Sequence, residues 1–185
     1  MAELTVMQIN IKSWTNNWYI LAVDLPNYNP DIILLNETSN VGNNIKLQGY
    51  HVIQSCVGMY TGVAILIKLS LKFTVLPTRD SHSLAIKLFT SLGPIIISTC
   101  YTPPRFDSVP TITLNKLLDY NLPTLIAGDF NARHVDFHNT GAARAIHYNN
   151  RGIQLAALSH NRSLHFMGPY FHTYESANKI GRAHV

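Results

Sequence analysis

Short apolar segments, each closed by polar or turn-forming residues, constrain the fold of this 185-residue chain most. The clearest case is residues 83–89, where apolar positions recur with a period of two. Gly93-Pro94 then turns the chain back into a second apolar segment, 95–100. Alternation of this kind is typical of strands, and a short turn between two strands predicts an antiparallel hairpin. The fold must therefore contain a sheet with antiparallel neighbours.

The same signals place further elements along the chain. Strands are predicted at 4–11, 31–35, 50–55, 62–68, 72–76, 83–89, 95–100, 122–127 and 164–166. A first helix is predicted from Ser13 to about Asp24, where Pro26 would end it. Two more are predicted at 111–120 and 151–160. The buried positions expected in the last helix are Ile153, Leu155, Ala156 and Leu158. A long polar loop spans 131–150. Because strands outnumber helices, this order predicts an α/β (α+β) fold in which two sheets pack face to face with helices outside.

Length and composition set the broad class. Residues 1–185 are enough for a single domain with a full core and too few for two. Neither a secretory signal nor an apolar run near the ~20 residues of a membrane span is present in the sequence, which predicts a soluble, intracellular protein without a membrane. Cys56 and Cys100 lie in or beside apolar segments, so we expect buried free thiols.

The charge balance is mildly basic. The formal net charge is +4, with nine histidines and a sequence pI of about 9.1. Such a balance is compatible with a polyanionic partner, and equally with a basic surface that has no partner.

The stretch Gly128-Asp129-Phe130-Asn131 follows the strand predicted at 122–127. Side chains alternate along an extended chain, so we expect Asp129 and Asn131 to point the same way and Phe130 to point into the core. A carboxylate and a carboxamide placed like this can hold a water and a phosphate oxygen together. Hydrolysis of a phosphoester needs that pairing.

Polar residues close three other predicted strands: Asn10, Glu37 and Tyr101. Each has a simpler explanation, since Asn10 can form a turn, Glu37 can be a solvated strand end, and Tyr101 can be packing. The Asp129/Asn131 pair can likewise be an Asx turn. If the strands share a layered core, however, all four ends can converge on one rim.

The ordered set of motifs resembles the endonuclease/exonuclease/phosphatase superfamily, and within it the apurinic-like endonuclease domain of non-LTR (LINE-type) retrotransposons. The motifs are Asn10, Leu35-Asn36-Glu37-Thr38, Tyr101-Thr102-Pro103-Pro104 and Gly128-Asp129-Phe130-Asn131-Ala132, with Asn131-Ala132-Arg133-His134 and Asn150-Arg151-Gly152 in support. The resemblance implies a four-layered α/β sandwich, a divalent cation (magnesium, or manganese), and nicking of double-stranded DNA to leave a 3′-hydroxyl that primes reverse transcription. It also implies a nuclear setting and a larger polyprotein with reverse transcriptase.

The resemblance assigns roles to the strand-end residues. Glu37 is the expected metal ligand, with Asn10 beside it, and magnesium prefers such hard oxygen ligands. Asp129 is expected to position and deprotonate the attacking water. Asn131 and Tyr101 are expected to donate hydrogen bonds to phosphate oxygens as charge grows there.

Two C-terminal motifs of the family, an aspartate after a strand and an Asp-His pair, cannot be assigned to this chain, which ends at Val185. We expect a fragment or a truncated element copy, with hydrolysis weakened by about 100-fold or more if the chain is complete.

Basic and aromatic side chains near the predicted rim suggest DNA contacts. Lys12, Arg105, Arg133 and His134 are the candidates, with Arg144, Arg151, His138 and His147 nearby. Trp14 and Trp18, four apart on a predicted helix, are expected to pack in the core.

Two other interpretations remain open at this point. One is another phosphoesterase of the superfamily, such as an abasic-site repair nuclease or a phosphatase. The other is a catalytically weakened DNA-binding remnant.

Overall fold

In the computed structural model, residues 3–39, 44–55, 61–137 and 148–167 are described. Their elements are β1 (Val6–Asn10), α1 (Trp14–Tyr28), β2 (Ile32–Asn36), β3 (Tyr50–Ser55), β4 (Val63–Lys68), β5 (Lys72–Leu76), β6 (Ser83–Thr90), β7 (Gly93–Tyr101), α2 (Thr111–Leu118), β8 (Thr124–Asp129), a short 3-10 helix (Val135–Phe137) and α3 (Asn150–Asn161). None of the helices in these ranges is long and apolar enough to cross a bilayer.

The strands form two four-stranded mixed sheets, in the orders β1-β2-β4-β3 and β5-β6-β7-β8. Antiparallel pairing joins β2 to β4, β3 to β4, β5 to β6 and β6 to β7. Each sheet also has one parallel pair, β1 with β2 and β7 with β8. A parallel pair needs a crossover, and α1 and α2 provide the two crossovers.

Apolar side chains divide the molecule into four layers, which confirms the predicted sandwich. Ile32, Leu34, Ile65 and Ile67 of the first sheet pack against Ile86, Leu88 and Ile97 of the second. Leu21 of α1 packs on the outer face of the first sheet, and Leu117 of α2 packs on the outer face of the second. Leu158 of α3 joins Leu114 and Cys100 in a further cluster.

Helix α1 runs past the predicted end near Asp24 and contains Pro26. Proline lacks the N–H that would bond four residues back, but the helix continues for two more residues. It ends where Asn29 adopts a left-handed conformation (φ 40°) and its N–H donates to the Leu25 carbonyl at 2.8 Å. The helix also begins at Trp14 without a side-chain cap from Ser13.

Three other predictions are wrong, two about buried side chains and one about a strand. Ile153 is 53% exposed, and α3 instead buries Gly152, Ala156 and Leu158. Residues 164–166 are not a strand. Trp18 is 49% exposed, whereas Trp14 packs against the core beneath α1.

The prediction of buried free thiols is confirmed for Cys100, which is fully buried and free. Burial raises the pKa of the Cys100 thiol to about 11, so it stays protonated and unreactive near neutral pH. Cys56 lies outside the described residues.

Candidate active site

The carboxyl ends of the two parallel strand pairs meet at one edge of the sandwich. In the first sheet Asn10 pairs with Asn36, and in the second Tyr101 pairs with Asp129. Strands β1 and β2 both contact β8 across the sandwich. The predicted convergence of polar strand ends on a single rim is therefore observed.

Asn10 joins the two acidic side chains. Its Nδ2 donates to Glu37 Oε1 at 2.7 Å and to Asp129 Oδ2 at 2.9 Å. One amide nitrogen therefore holds two carboxylates from different sheets within a few ångströms of each other. All three side chains are partly buried, which strengthens these contacts relative to water.

Tyr101 completes this group from the second sheet. Its hydroxyl donates to Glu37 Oε1 at 3.0 Å, and the residue is only 3% exposed. Burial, followed by the negative charge of Glu37, raises the pKa of the Tyr101 phenol well above its usual range. The phenol therefore remains a hydrogen-bond donor throughout the neutral and mildly alkaline range.

Asn36 is a site residue that sequence reasoning did not single out. This fully buried amide accepts bonds from Gln8 Nε2 and from the Asp129 backbone N–H, both at 2.9 Å, and donates to Thr99 Oγ1 at 3.0 Å. A second donated bond reaches the Cys100 carbonyl at 3.3 Å. Asn36 thus ties β2 to β7 and β8. The signal was a polar residue that closes an otherwise apolar strand.

The loops around the site hold unusual backbone conformations. Positive φ angles at non-glycine residues occur at Lys12 (48°), Ser13 (93°), Glu37 (52°), Ser39 (47°) and Asn131 (46°). Such conformations cost on the order of 1 kcal/mol or more each and persist only where surrounding contacts fix them. Here the backbone N–H of Ser13 donates to the Glu37 carbonyl at 2.7 Å, so two of these strained residues hold each other.

The segment after β8 differs from the extended chain that was predicted. Asn131 is left-handed, and its backbone N–H donates to Asp129 Oδ1 at 3.0 Å, which is an Asx turn. The side chains of Asp129 and Asn131 therefore do not simply alternate, and Asn131 Nδ2 donates to the Thr102 carbonyl at 3.1 Å. Phe130 packs against the cluster around Cys100, as expected.

Several predicted DNA-contacting residues surround these side chains. Lys12, Arg105 and Arg133 are exposed on the loops that follow β1, β7 and β8. His134 is different, because its Nδ1 accepts from the Asp136 N–H at 3.3 Å and its ring packs against Tyr148 at a ring distance of 5.0 Å.

Arg151 has a structural role that the DNA-contact prediction did not include. Its Nη1 donates to the carbonyls of Pro103, Pro104 and Phe106 at 3.1, 3.0 and 3.0 Å. The other predicted cations Arg144, His138 and His147 lie outside the described residues.

The donor set of this site fits a hard divalent cation. Glu37 and Asp129 are brought together by an uncharged amide, and the ion pairs found within the described residues involve neither carboxylate. No cluster of three acidic, histidine or cysteine side chains suited to a metal occurs in the described part of the chain. Magnesium does not need one, since it binds through one or two carboxylates and keeps several waters.

Comparison with known proteins agrees with this geometry. The sequence profile of the Endonuclease/Exonuclease/phosphatase family matches residues 16–178, which is most of the chain. The chain belongs to this family. The matched range begins after Asn10, which was predicted from the sequence and which the structure places against Glu37 and Asp129.

Two curated relatives come from mobile elements. The chain is 35% identical over 136 residues to a probable RNA-directed DNA polymerase from transposon X-element of Drosophila melanogaster. It is 28% identical over 129 residues to the RNA-directed DNA polymerase from mobile element jockey of Drosophila funebris. These matches cover 69% and 62% of this chain, but only 14% and 13% of the respective relatives.

A solved structure shares the fold. The endonuclease domain of TRAS1, a telomere-specific non-LTR retrotransposon, superposes with a TM-score of 0.72 at 17% identity, covering 93% of this chain and 77% of that domain. At this identity the likeness shows the fold, which is that of the family's endonuclease domains.

Proposed function

We propose that this chain is a divalent-metal-dependent endonuclease domain that nicks one strand of DNA and leaves a 3′-hydroxyl. The observation that carries the proposal is the bridge made by Asn10 between Glu37 and Asp129, with the Tyr101 hydroxyl on the same Glu37 oxygen. Membership of a phosphoesterase family gives this cluster of carboxylates, amide and phenol its chemical meaning.

Asp129 is proposed as the general base. Its Oδ2 accepts from Asn10 and its Oδ1 accepts from the Asn131 backbone N–H, which together fix the orientation of the carboxylate. A carboxylate held in this way can orient a water and take one of its protons. The water oxygen then bonds to phosphorus and the P–O3′ bond breaks. The leaving 3′ oxygen accepts a proton from solvent water, and the phosphate stays on the 5′ end of the downstream strand.

Tyr101 and Asn131 are proposed to donate hydrogen bonds to the phosphate as charge develops on its oxygens. Tyr101 keeps its single proton because its pKa is raised, and that hydrogen, which lies on Glu37 Oε1 in the free protein, would turn to the phosphate when DNA binds. Asn131 Nδ2 uses one hydrogen for the Thr102 carbonyl, which fixes the amide and leaves its second hydrogen for a ligand. The Asn131 donor is fixed before the reaction, so it costs no reorganisation when the transition state forms.

Glu37 and Asn10 are the residues proposed to hold magnesium or manganese. In the described part of the chain both hydrogen bonds to the Glu37 carboxylate go to Oε1, which leaves Oε2 for a cation. When bound, the cation supplies positive charge that neutralises the phosphate and the leaving oxygen. Asn10 Nδ2 holds the Glu37 and Asp129 carboxylates close together, so the proposed metal ligand lies beside the proposed general base.

Double-stranded DNA is the proposed substrate. The domain is proposed to be part of a retrotransposon polyprotein that carries reverse transcriptase and acts in the nucleus. The mobile-element relatives, each named as an RNA-directed DNA polymerase, support this context. The exposed cations Lys12, Arg105 and Arg133 on the rim loops support a polyanionic ligand. The nick would then supply the primer end for reverse transcription.

A substrate panel tests the proposal. Supercoiled plasmid, an abasic-site oligonucleotide and an inositol phosphate are each incubated with the protein, with magnesium or with a chelator. We expect magnesium-dependent conversion of plasmid to the nicked circle, and extension of the nick by a DNA polymerase without prior end repair. Extension without repair shows that the product carries a 3′-hydroxyl.

Other outcomes would separate the competing interpretations. Cleavage confined to the abasic oligonucleotide, or release of phosphate from the inositol phosphate alone, would assign the chain to another branch of the family. Salt-sensitive binding of plasmid without any magnesium-dependent cleavage would identify a DNA-binding remnant.

A further inference from the structure

The first turn of α3 contacts both loops that carry the exposed arginines of the rim. One loop, 102–110, connects β7 to α2 and carries Arg105. The other, 130–134, follows β8 and carries Arg133. Neither loop belongs to a sheet ladder along its length, so contacts from elsewhere must fix its position.

Arg151 fixes the first loop. Its Nη1 donates to three carbonyls within this short turn, those of Pro103, Pro104 and Phe106. The turn is closed internally by the Phe106 N–H, which donates to the Pro103 carbonyl at 2.9 Å. All three contacts come from this one nitrogen, which carries two hydrogens, so at least one hydrogen is shared between two carbonyls of the turn.

Two neighbours of Arg151 extend this contact along the first loop. Asn150 Nδ2 donates to the Asp107 carbonyl at 3.0 Å, and Gln154 Oε1 accepts from the Val109 N–H at 3.1 Å. Three side chains of α3 therefore bond to the loop between Pro103 and Val109.

Asn149 fixes the second loop. Its Oδ1 caps α3 by accepting from the Gly152 N–H at 2.8 Å and also accepts from the Arg133 N–H at 3.0 Å. Its Nδ2 donates to the Asn131 carbonyl at 2.7 Å. The helix lies directly on this loop, since a Cβ on Gly152 would come within 2.1 Å of the Arg133 carbonyl oxygen.

The two loops also meet beside the proposed reaction centre. Asn131 Nδ2 donates to the Thr102 carbonyl, and the Thr102 N–H donates to the Asp129 carbonyl at 2.9 Å. The chain continues from Tyr101 into the loop that carries Arg105, and from Asp129 into the loop that carries Arg133. Both loops are bonded to the start of α3. Arg151 points at carbonyls of the protein itself, so its charge is used within the fold.

We propose that Asn149 and Arg151 are positioning residues: together they hold the Arg105 loop and the Arg133 loop as one fixed surface that receives the DNA backbone. The inference rests on the proposed function for its ligand, but the clamp itself can be measured without DNA. Fixing the loops in advance removes the ordering cost that flexible loops would add to binding.

Amide hydrogen exchange in the free protein tests the clamp. The variants are Arg151→Ala, Arg151→Lys and Asn149→Ser, where serine retains helix capping but cannot replace the bonds to Asn131 and Arg133. We expect the Arg151 variants to exchange faster in peptides covering 102–110, and Asn149→Ser to exchange faster in 130–134. Arg162→Ala is the matched control, because Arg162 lies at the other end of α3 and bonds to Asn115 and Asp119 of the α2 region.

Nicking kinetics test the consequence for DNA. Arg151→Ala and Asn149→Ser should each raise KM for plasmid by about tenfold with kcat changed less than about threefold, because the lost bonds hold loops rather than reacting atoms. Arg151→Lys should keep KM raised although the charge is retained. Arg162→Ala should match the wild type in exchange and in KM.

Three results would overturn the clamp. Unchanged exchange in all three variants would show that the loops hold themselves. Full recovery of KM in Arg151→Lys while exchange at 102–110 stays fast, or a raised KM in Arg151→Ala without faster exchange, would show that the charge of Arg151 acts directly on phosphate. A wild-type protein that nicks no DNA would refute the proposed function, while the exchange data would still decide the clamp.

Discussion

The side-chain nitrogen of Asn10 lies 2.9 Å from Oδ2 of Asp129, although 119 positions separate the two residues in the chain. This bond joins the first strand of one sheet to the last strand of the other. The same nitrogen holds Glu37 at 2.7 Å, so a single amide sets the spacing of both proposed catalytic carboxylates.

Replacing Asn10 by Asp tests that spacing. The variant puts a third carboxylate between two others and removes the shared donor, so we expect single-turnover nicking to fall by about 100-fold or more. Circular dichroism should show an intact fold, because Asn10 is only partly buried. Asn16→Asp, exposed on α1, is the control and should keep the wild-type rate. An Asn10→Asp protein as active as wild type would show that the bridge does not matter.

Replacing Asn36 by Leu tests the inter-sheet amide. Leucine fills a similar volume but removes the bonds that Asn36 makes to Gln8 Nε2, to the Asp129 N–H and to Thr99 Oγ1. We expect the free energy of unfolding in urea to fall by about 3 kcal/mol. Asn16→Leu, on the exposed side of α1, should change it by less than about 0.5 kcal/mol. A loss below about 1 kcal/mol for Asn36→Leu would mean that the sheets are not tied through this residue.

Adding a methyl group at Gly128 tests the close approach of β7 and β8. A Cβ there would lie 1.9 Å from the Cys100 carbonyl oxygen. Gly128→Ala should therefore lower the free energy of unfolding by about 3 kcal/mol or more. Gly49→Ala is a useful comparison, since Gly49 has a φ of 87° but open space around it and should cost only about 1–2 kcal/mol. Equal losses in the two variants would argue against the close contact.

The raised pKa of the Tyr101 phenol predicts that the protein loses stability at alkaline pH. This pKa is raised by burial and by Glu37, so the folded state disfavours ionisation relative to the unfolded chain, where tyrosine titrates near pH 10. The stability due to the neutral phenol is present below about pH 10 and is lost as the pH rises through and above that value. Urea unfolding of wild type should thus weaken more steeply above pH 10 than that of Tyr101→Phe. Tyr19→Phe, at a 55% exposed position, should behave like wild type, and parallel curves for all three proteins would contradict this assignment.

The regular elements of the fold follow closely from sequence because periodicity determines them. The predicted strands 50–55 and 72–76 match β3 and β5 at both ends. The predicted end of α1 near Asp24 is too early, because a proline usually ends a helix, whereas here the left-handed Asn29 ends it. Ile153 fits the helical pattern of α3, but the face that is buried depends on where α3 docks.

The convergence of the candidate site residues was predictable, whereas their hydrogen bonds were not. Asn10, Glu37, Tyr101 and Asp129 stood out because an apolar strand does not usually end in such side chains. The Asn36 network, the left-handed Glu37 and the carbonyl contacts of Arg151 depend on segments far apart in sequence. Local propensity carries no information about contacts of that range, so only the folded chain reveals them.

The most direct test of the proposed site is the single-turnover rate of magnesium-dependent plasmid nicking by wild type, Glu37→Gln and Asp129→Asn. Each substitution keeps the side-chain shape and removes one charge, and Glu3→Gln at an exposed position before β1 is the matched control. We expect a fall of about 100-fold or more for both site variants and no change for the control. Nicking at the wild-type rate in Glu37→Gln and Asp129→Asn would contradict the proposed site.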